Sequence, residues 1–311
     1  MSFGHQIKKR LPPILRFVFR VGQRLGVNIT PNHFYSDIPD MRQLESSTTW
    51  RKRQPLHGVL GTGMDQQADR FADCCGPYPE QMSTKEVCER AWRENGEPGY
   101  GIIESLALYG FVRRHKPKRI VQIGCGVSTA VCLHAAEDEP DYEPQIECLE
   151  PYPTQFLRNK AKEGKITLRA QPAQDTPAEQ IADLEPGDLL FIDSTHTIKI
   201  GSEVVHVILD VIPRLKPGVF VHFHDITLPY DYNAKTLSDS VFFWRETTML
   251  AALLTDNPKI GIYFSMTMLN HDRPERVQEV IPFYSAAPTK DGLRTGDGNF
   301  PSSIFLQTQQ V

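Results

Sequence analysis

Along the middle of the chain, short runs of apolar residues alternate with stretches in which apolar positions recur every three or four residues. The short runs, rich in Val, Ile, Leu and Phe, suit strands covered on both faces, and the spaced patterns suit helices with one buried side. This reading predicts strands over 119–123, 145–149, 165–169, 188–192 and 218–223, with helices over 129–136, 153–162, 177–183 and 202–212 between them. A helix precedes the first strand, from Gly101 to Arg114, with Ile102, Ile103, Leu106, Leu108, Tyr109 and Val112 on its apolar side. After Pro229 the pattern gives a polar loop, a helix over about 241–254, a strand at 260–266 and a last strand near 303–307. Strands alternating with helices predict an α/β fold built on a doubly wound, Rossmann-like sheet. No internal repeat interrupts it.

The beginning of the chain differs. Pro12, Pro13, Pro31, Pro39, Pro55, Pro77 and Pro79 break any long element, so residues 1–90 read as an irregular extension or lid before a domain over 91–311. Lys8, Lys9, Arg10, Arg16, Arg20 and Arg24 lie among apolar residues there, and no acid precedes Asp37. From Pro13 onward this predicts a basic amphipathic helix suited to an anionic membrane surface. The alternative is a first helix packed on the domain or on a second subunit of a homo-oligomer. No run approaches the ~18–20 apolar residues of a membrane span. The net charge of −4 gives no global reason to expect nucleic acid as a partner. Cys74, Cys75, Cys88, Cys125, Cys132 and Cys148 form no C-x-x-C pair, as for reduced thiols of a cytoplasmic protein, here one peripheral to the inner membrane face.

The chemistry concentrates at strand ends. Arg119 to Ser128 is a strand running into a glycine turn, where Gly124 and Gly126 let the backbone bend and approach a ligand. Thr129 to His134 then starts a helix whose free N–H groups would face that ligand. Glu150 ends the second strand, where an acid can accept from both hydroxyls of a ribose. Gln174 and Asp175 follow the third, within reach of an adenine. Asp193 ends the fourth strand with His196 just beyond, and the fifth ends as His222-Phe-His224-Asp225. Adjacent parallel strands would bring Asp193, His196, His224 and Asp225 to one edge. Carboxylates and imidazoles in a cleft suit a divalent metal, a general base, or a hydrogen-bonded polar cluster. His222 reads as a core histidine.

These residues carry a family resemblance. Ile-Gly-Cys-Gly-Val-Ser128, Glu150, Gln174-Asp175, Phe-Ile-Asp193 and Leu215-Lys-Pro-Gly218 together resemble class I S-adenosylmethionine-dependent methyltransferases. Within them, His33-Phe-Tyr-Ser-x-Ile-Pro39, Gly99-Tyr-Gly101, Phe191-Ile-Asp-Ser-x-His196, Lys199-x-Gly-Ser202, His222-Phe-His-Asp-Ile226, Leu228-Pro229 and Trp244-x-Glu246 are similar to the methyltransferase-24 type over roughly 33–270. The resemblance implies a seven-stranded sheet with its last strand antiparallel. It also implies S-adenosylmethionine held by Gly124, Gly126, Ser128, Glu150, Gln174 and Asp175. Gln122 departs from it, standing where an acid usually precedes the glycine turn. Glu104 and Glu203 replace the more usual Asp, and the C-terminal glycine cluster is reduced to Gly296-Asp-Gly298. Thr129 occupies the third glycine position of a dinucleotide fingerprint, which disfavours a dehydrogenase.

The chain is similar, too, to metal-dependent O-methyltransferases of the catechol type in carrying an acid at the end of strand four. By position, the comparison implies a metal (Mn, Fe, Zn or Mg) at Asp193, His224 and Asp225. His196 then serves as catalytic base beside Asp193, with the ordinary imidazole pKa of ~6.5. The function so implied is metal-assisted O-methylation of a hydroxyl on a glycan or small metabolite. The alternatives are a metal-dependent oxidase or hydrolase on the same fold, and a non-catalytic cofactor-binding scaffold.

Overall fold

The computed structural model describes residues 13–47, 49–232, 237, 241–286 and 301–311. Lys8, Lys9 and Arg10 of the basic segment, and Gly296 and Gly298, lie outside the described residues. The chain divides into two compact units, one running up to Trp50 and the other from Arg51 to Val311.

In the first unit, helix α1 spans Pro13–Arg24 and helix α2 spans Met41–Ser46. Pro13 opens α1, where a missing N–H costs nothing. Arg16, Arg20 and Arg24 are exposed on it, as are Ile14 and Phe17. The chain turns back after α1 through Val27 N donating to Gly22 O at 2.8 Å. Asp40 caps α2 by accepting from Arg42 N at 3.0 Å.

The second unit is built on a seven-stranded sheet in the order β3-β2-β1-β4-β5-β7-β6. The strands are β1 Arg119–Ile123, β2 Gln145–Leu149, β3 Thr167–Arg169, β4 Leu189–Ile192, β5 Phe220–Phe223, β6 Ile260–Ser265 and β7 Ile304–Thr308. The first five are parallel, and β7 runs antiparallel between β5 and β6. Successive side chains of β1, β4 and β5 enter opposite cores. Ile120, Phe191 and Phe220 join one, and Val121, Leu190 and Val221 join the other, which is why these strands are mostly apolar, with Gln122 and His222 as buried polar exceptions. Strand order reverses between β1 and β4, so the crevice for a ligand opens beyond their carboxyl ends.

Helices α3 Met64–Cys75, α4 Pro79–Met82, α5 Glu86–Asn95 and α6 Ile102–His115 precede the sheet. The first three correct the reading of this stretch as irregular. Ala68, Phe71 and Cys75 recur at helical spacing, and Phe71, Cys74, Cys75 and Met82 are wholly buried in the core that holds Phe111 and Phe264. Pro79 stands in the first turn of α4, where proline starts a helix rather than breaking one. Gly96, left-handed at φ +89°, ends α5. After β1 come α7 Val127–Glu137, α8 Gln155–Lys162, α9 Ala178–Ile181 and α10 Glu203–His206, the last continuing through a π-turn over Val207–Val211. Helix α11 covers Glu246–Leu254, starting five residues later than the sequence pattern indicated.

Candidate functional site

The glycine turn is made of backbone. Gly124 has φ +80°, and a Cβ there would sit 1.6 Å from the Asp193 carbonyl oxygen. Asp193 N in turn donates to Ile123 O at 2.8 Å. The turn after β1 and the end of β4 are thus locked together. Glu150, just past β2, accepts from Cys125 N at 3.2 Å and from Tyr152 N at 2.8 Å. Ser128 is buried in the first turn of α7. Gln174 and Asp175 are exposed in a 3-10 turn, Ala173–Asp175, beyond β3. Gln122 does not reach the crevice. It is buried, accepting from Thr129 Oγ1 at 2.6 Å, while Thr129 Oγ1 accepts from Gly126 N at 3.3 Å. An amide there braces the start of α7 from within the core.

The four residues expected at strands four and five do meet. His224 Nδ1 lies 3.1 Å from Asp193 Oδ1. His196 Nε2 lies 3.5 Å from Asp193 Oδ1 and 3.6 Å from Asp225 Oδ2. One donor atom each from Asp193, His196 and His224 falls within 4.8 Å of the others, a spacing that a single ion could bridge. His196 and Asp225 both adopt left-handed backbone, at φ +55° and +52°. Such conformations are costly outside glycine and persist where surrounding structure fixes them.

Two further acids complete the cluster, neither of which was assigned a role from the sequence. Glu246, at the start of α11, lies 2.7 Å from His196 Nδ1 through Oε2, with a side chain 1% exposed. Glu104, in α6, lies 3.3 Å from His224 Nε2 through Oε1, with a side chain 5% exposed. Ser302 N donates to Glu104 at 2.9 Å and Ser302 Oγ to Asp225 at 2.8 Å. Trp244 packs 4.7 Å from the His196 ring, and Tyr100 lies 4.7 Å from that of His224. A signal for Glu104 was available, since it is an acid amid an otherwise apolar helix pattern.

The electrostatics follow from this crowding. Burial opposes the charge on Asp193, yet the His224 charge and the hydrogen bonds from His196 and His224 hold its carboxyl well below the usual range. Burial likewise opposes a cation at His196, but hydrogen bonds to Asp193 and Glu246 and the charges of Asp225 and Glu246 raise it to about 10. That corrects the expectation of an ordinary imidazole at this position. His224 is pushed well above its ordinary value, with burial outweighed by Asp193, Asp225 and Glu104. His222 goes the other way. It is fully buried, stacked on Phe191 at 4.5 Å, and held neutral mainly by burial, with the His224 charge adding to it. It is a core histidine, 3.1 Å from the Tyr100 hydroxyl.

Residues 121–226 match the family described as a methyltransferase domain, Methyltransf_24. An uncharacterized protein of Archaeoglobus fulgidus is 25% identical over 182 residues, covering 56% of this chain and 76% of that protein. The O-methyltransferase TomG from Streptomyces achromogenes, involved in tomaymycin synthesis and solved with S-adenosylmethionine, is 14% identical. It overlaps 78% of this chain and 99% of its own at a TM-score of 0.42. An O-methyltransferase from Bacillus cereus, solved with S-adenosylhomocysteine, is 12% identical, overlapping 79% and 100% at a TM-score of 0.44.

Proposed function

We propose that the protein, whose residues 121–226 match a methyltransferase-domain family, uses S-adenosylmethionine to methylate a hydroxyl of a small molecule or glycan, with its Asp/His cluster preparing the oxygen. The observation that carries this is the contact between Gly124 and Asp193. It supports the reading because a donor lying on that turn would sit directly against the acids and imidazoles that would meet the acceptor.

The donor would lie along the turn from Gly124 to Ser128, with the α7 N-terminus beneath it. Glu150 would take the ribose hydroxyls. Its two oxygens already accept backbone amides, but a carboxylate has about four lone-pair positions, which leaves room for more. Gln174 and Asp175 would border the adenine. A sulfonium is already activated, so alignment of oxygen, methyl and sulfur is the main contribution asked of this half.

The acceptor half has to make a poor nucleophile better. Asp193, His224 and Asp225 would hold a divalent cation, and their mixed oxygen and nitrogen donors suit Mn, Fe or Zn better than Mg. Such an ion would supply Lewis acidity to the acceptor oxygen. His196 would receive the hydroxyl proton at Nε2 while Glu246 holds Nδ1. The carboxylates of Asp193, Asp225 and Glu246 favour the protonated form of His196 near neutrality; a cation held by Asp193 and Asp225 would withdraw two of them and favour the neutral imidazole that can accept a proton.

Isothermal titration with S-adenosylmethionine and S-adenosylhomocysteine, with and without Mn²⁺, tests the reading. Binding of both nucleosides is expected. Binding of neither removes the methyltransferase function.

No described helix is long and apolar enough to cross a membrane. The exposed Arg16, Arg20, Arg24, Ile14 and Phe17 of α1 support an anionic lipid surface as the place where the protein works.

A further inference from the structure

Each imidazole of the cluster is gripped at its far nitrogen by a buried glutamate. Glu246 takes Nδ1 of His196, whereas Glu104 takes Nε2 of His224. The near nitrogens, Nε2 of His196 and Nδ1 of His224, then point at the same atom, Asp193 Oδ1, at 3.5 and 3.1 Å. The two rings are therefore used in opposite senses. A fold that needed only ion pairs would not require this, because burying so many charges together is seldom stabilising compared with apolar packing.

Both glutamates are themselves held in place. Glu104 receives Ser302 N at 2.9 Å, and a Cβ on Gly101 would lie 2.2 Å from its other oxygen. Glu246 is fully buried in the first turn of α11. A carboxylate accepts hydrogen bonds and donates none. Asp193 faces the near nitrogen of both rings in the same way, so the glutamates decide the tautomer once a cation occupies Asp193: each then keeps a proton on the nitrogen it faces, and the lone pair of the neutral ring is left on the other.

We infer that Glu104 and Glu246 are positioning residues that fix opposite tautomers, Nε2–H in His224 and Nδ1–H in His196, so that His224 Nδ1 serves a divalent cation and His196 Nε2 faces the acceptor's proton. The inference rests on the proposed function, and it divides labour between the glutamates. Glu104 acts on the metal, in the way outer carboxylates orient ligand imidazoles elsewhere. Glu246 acts on the proton.

The test is ¹⁵N NMR of histidine-labelled full-length protein saturated with Zn²⁺, with His196 and His224 signals assigned from His196→Gln and His224→Gln, alongside calorimetric Zn²⁺ titration. The expected spectrum has the proton on Nε2 of His224 and on Nδ1 of His196. Glu104→Ala should weaken Zn²⁺ binding ~10–100-fold, and Glu104→Gln, whose carbonyl still accepts, should recover most of it. Glu246→Ala should leave Zn²⁺ affinity within about threefold while the His196 proton redistributes between its nitrogens. Wild-type protein that binds no Zn²⁺, the reverse tautomer at either ring, or Zn²⁺ affinity indifferent to Glu104→Ala would overturn the inference. Titration of the same samples with S-adenosylhomocysteine reports separately on the methyltransferase reading.

Discussion

The glycine turn proposed to hold the donor and the Asp/His cluster proposed to meet the acceptor touch, yet they are built on different plans. The turn is contiguous: β1, Gly124 to Gly126 and the start of α7 follow one another, and the groups proposed to face the donor are backbone amides, one of them Cys125 N, which donates to Glu150. The cluster is assembled from α6, the ends of β4 and β5, and α11, and everything it offers is a side chain. Backbone recognition tolerates sequence change but no change of shape. Side-chain recognition tolerates some movement of the chain but few substitutions.

The most severe disruption of this contrast should come from Gly124→Ala. The new Cβ would overlap the Asp193 carbonyl in a left-handed position, and strain and overlap together should cost ~3 kcal/mol or more. A sharply lowered melting temperature and absent S-adenosylhomocysteine binding are expected; near-normal values would mean that the turn is not so tightly set. Within the cluster, His196→Ala should lower turnover by ~10²–10⁴-fold with donor affinity intact, and Asp193→Ala should abolish both turnover and Mn²⁺ uptake. Full activity in His196→Ala would rule out its role as proton acceptor. On the donor side, Glu150→Ala should weaken S-adenosylhomocysteine by ~1.5–3 kcal/mol and lower the melting temperature, because Cys125 N and Tyr152 N lose their acceptor.

A gentler probe is pH. The folded state raises His196 from an ordinary 6.5 to about 10, so the stability it contributes is complete below pH 6.5 and is lost as pH climbs toward 10. Metal-free protein should therefore melt progressively lower across that window, and His196→Gln should flatten the slope. A wild-type profile that is level or rising would mean that the imidazole is not held as a cation. The smallest effect lies outside both regions: flotation with anionic vesicles should show binding that salt weakens and deletion of residues 1–27 removes. Equal partitioning to neutral vesicles would argue for a purely structural first helix.

How much of this could be read in the sequence follows the same division. Strands at 119–123 and 145–149 match the structure residue for residue, and the order of the strands holds, because their β-forming apolar residues have few alternatives, whereas helices Met266–Asp272 and Pro274–Val280 between β6 and β7 did not show in the pattern. The glycine turn is legible since all its parts are neighbours in the chain. Asp193, His196, His224 and Asp225 could be brought together because parallel strands deliver their ends to one edge. Glu104 and Glu246 gave less away, as nothing local shows that α6 and α11 present acids to the far sides of two imidazoles. The helices over 64–95 were hidden by prolines that mark boundaries as readily as they break helices. The raised pKa of His196 depends on charges drawn from several elements, beyond the reach of spacing alone.

The placement of β7 between β5 and β6 has a consequence for how the protein comes into being. During synthesis, β5 and β6 emerge well before residues 304–308, and each has an edge facing the vacant place of the strand to come. Ile304, Phe305 and Leu306 are wholly buried once inserted, so the gap is an apolar slot as well as two unsatisfied edges. The same late segment carries Ser302, which reaches both Glu104 and Asp225. Maturation of the sheet and maturation of the cluster are therefore one event. A nascent chain can form its donor turn early, yet its chemistry waits for the insertion that also seals it against sticking to its neighbours.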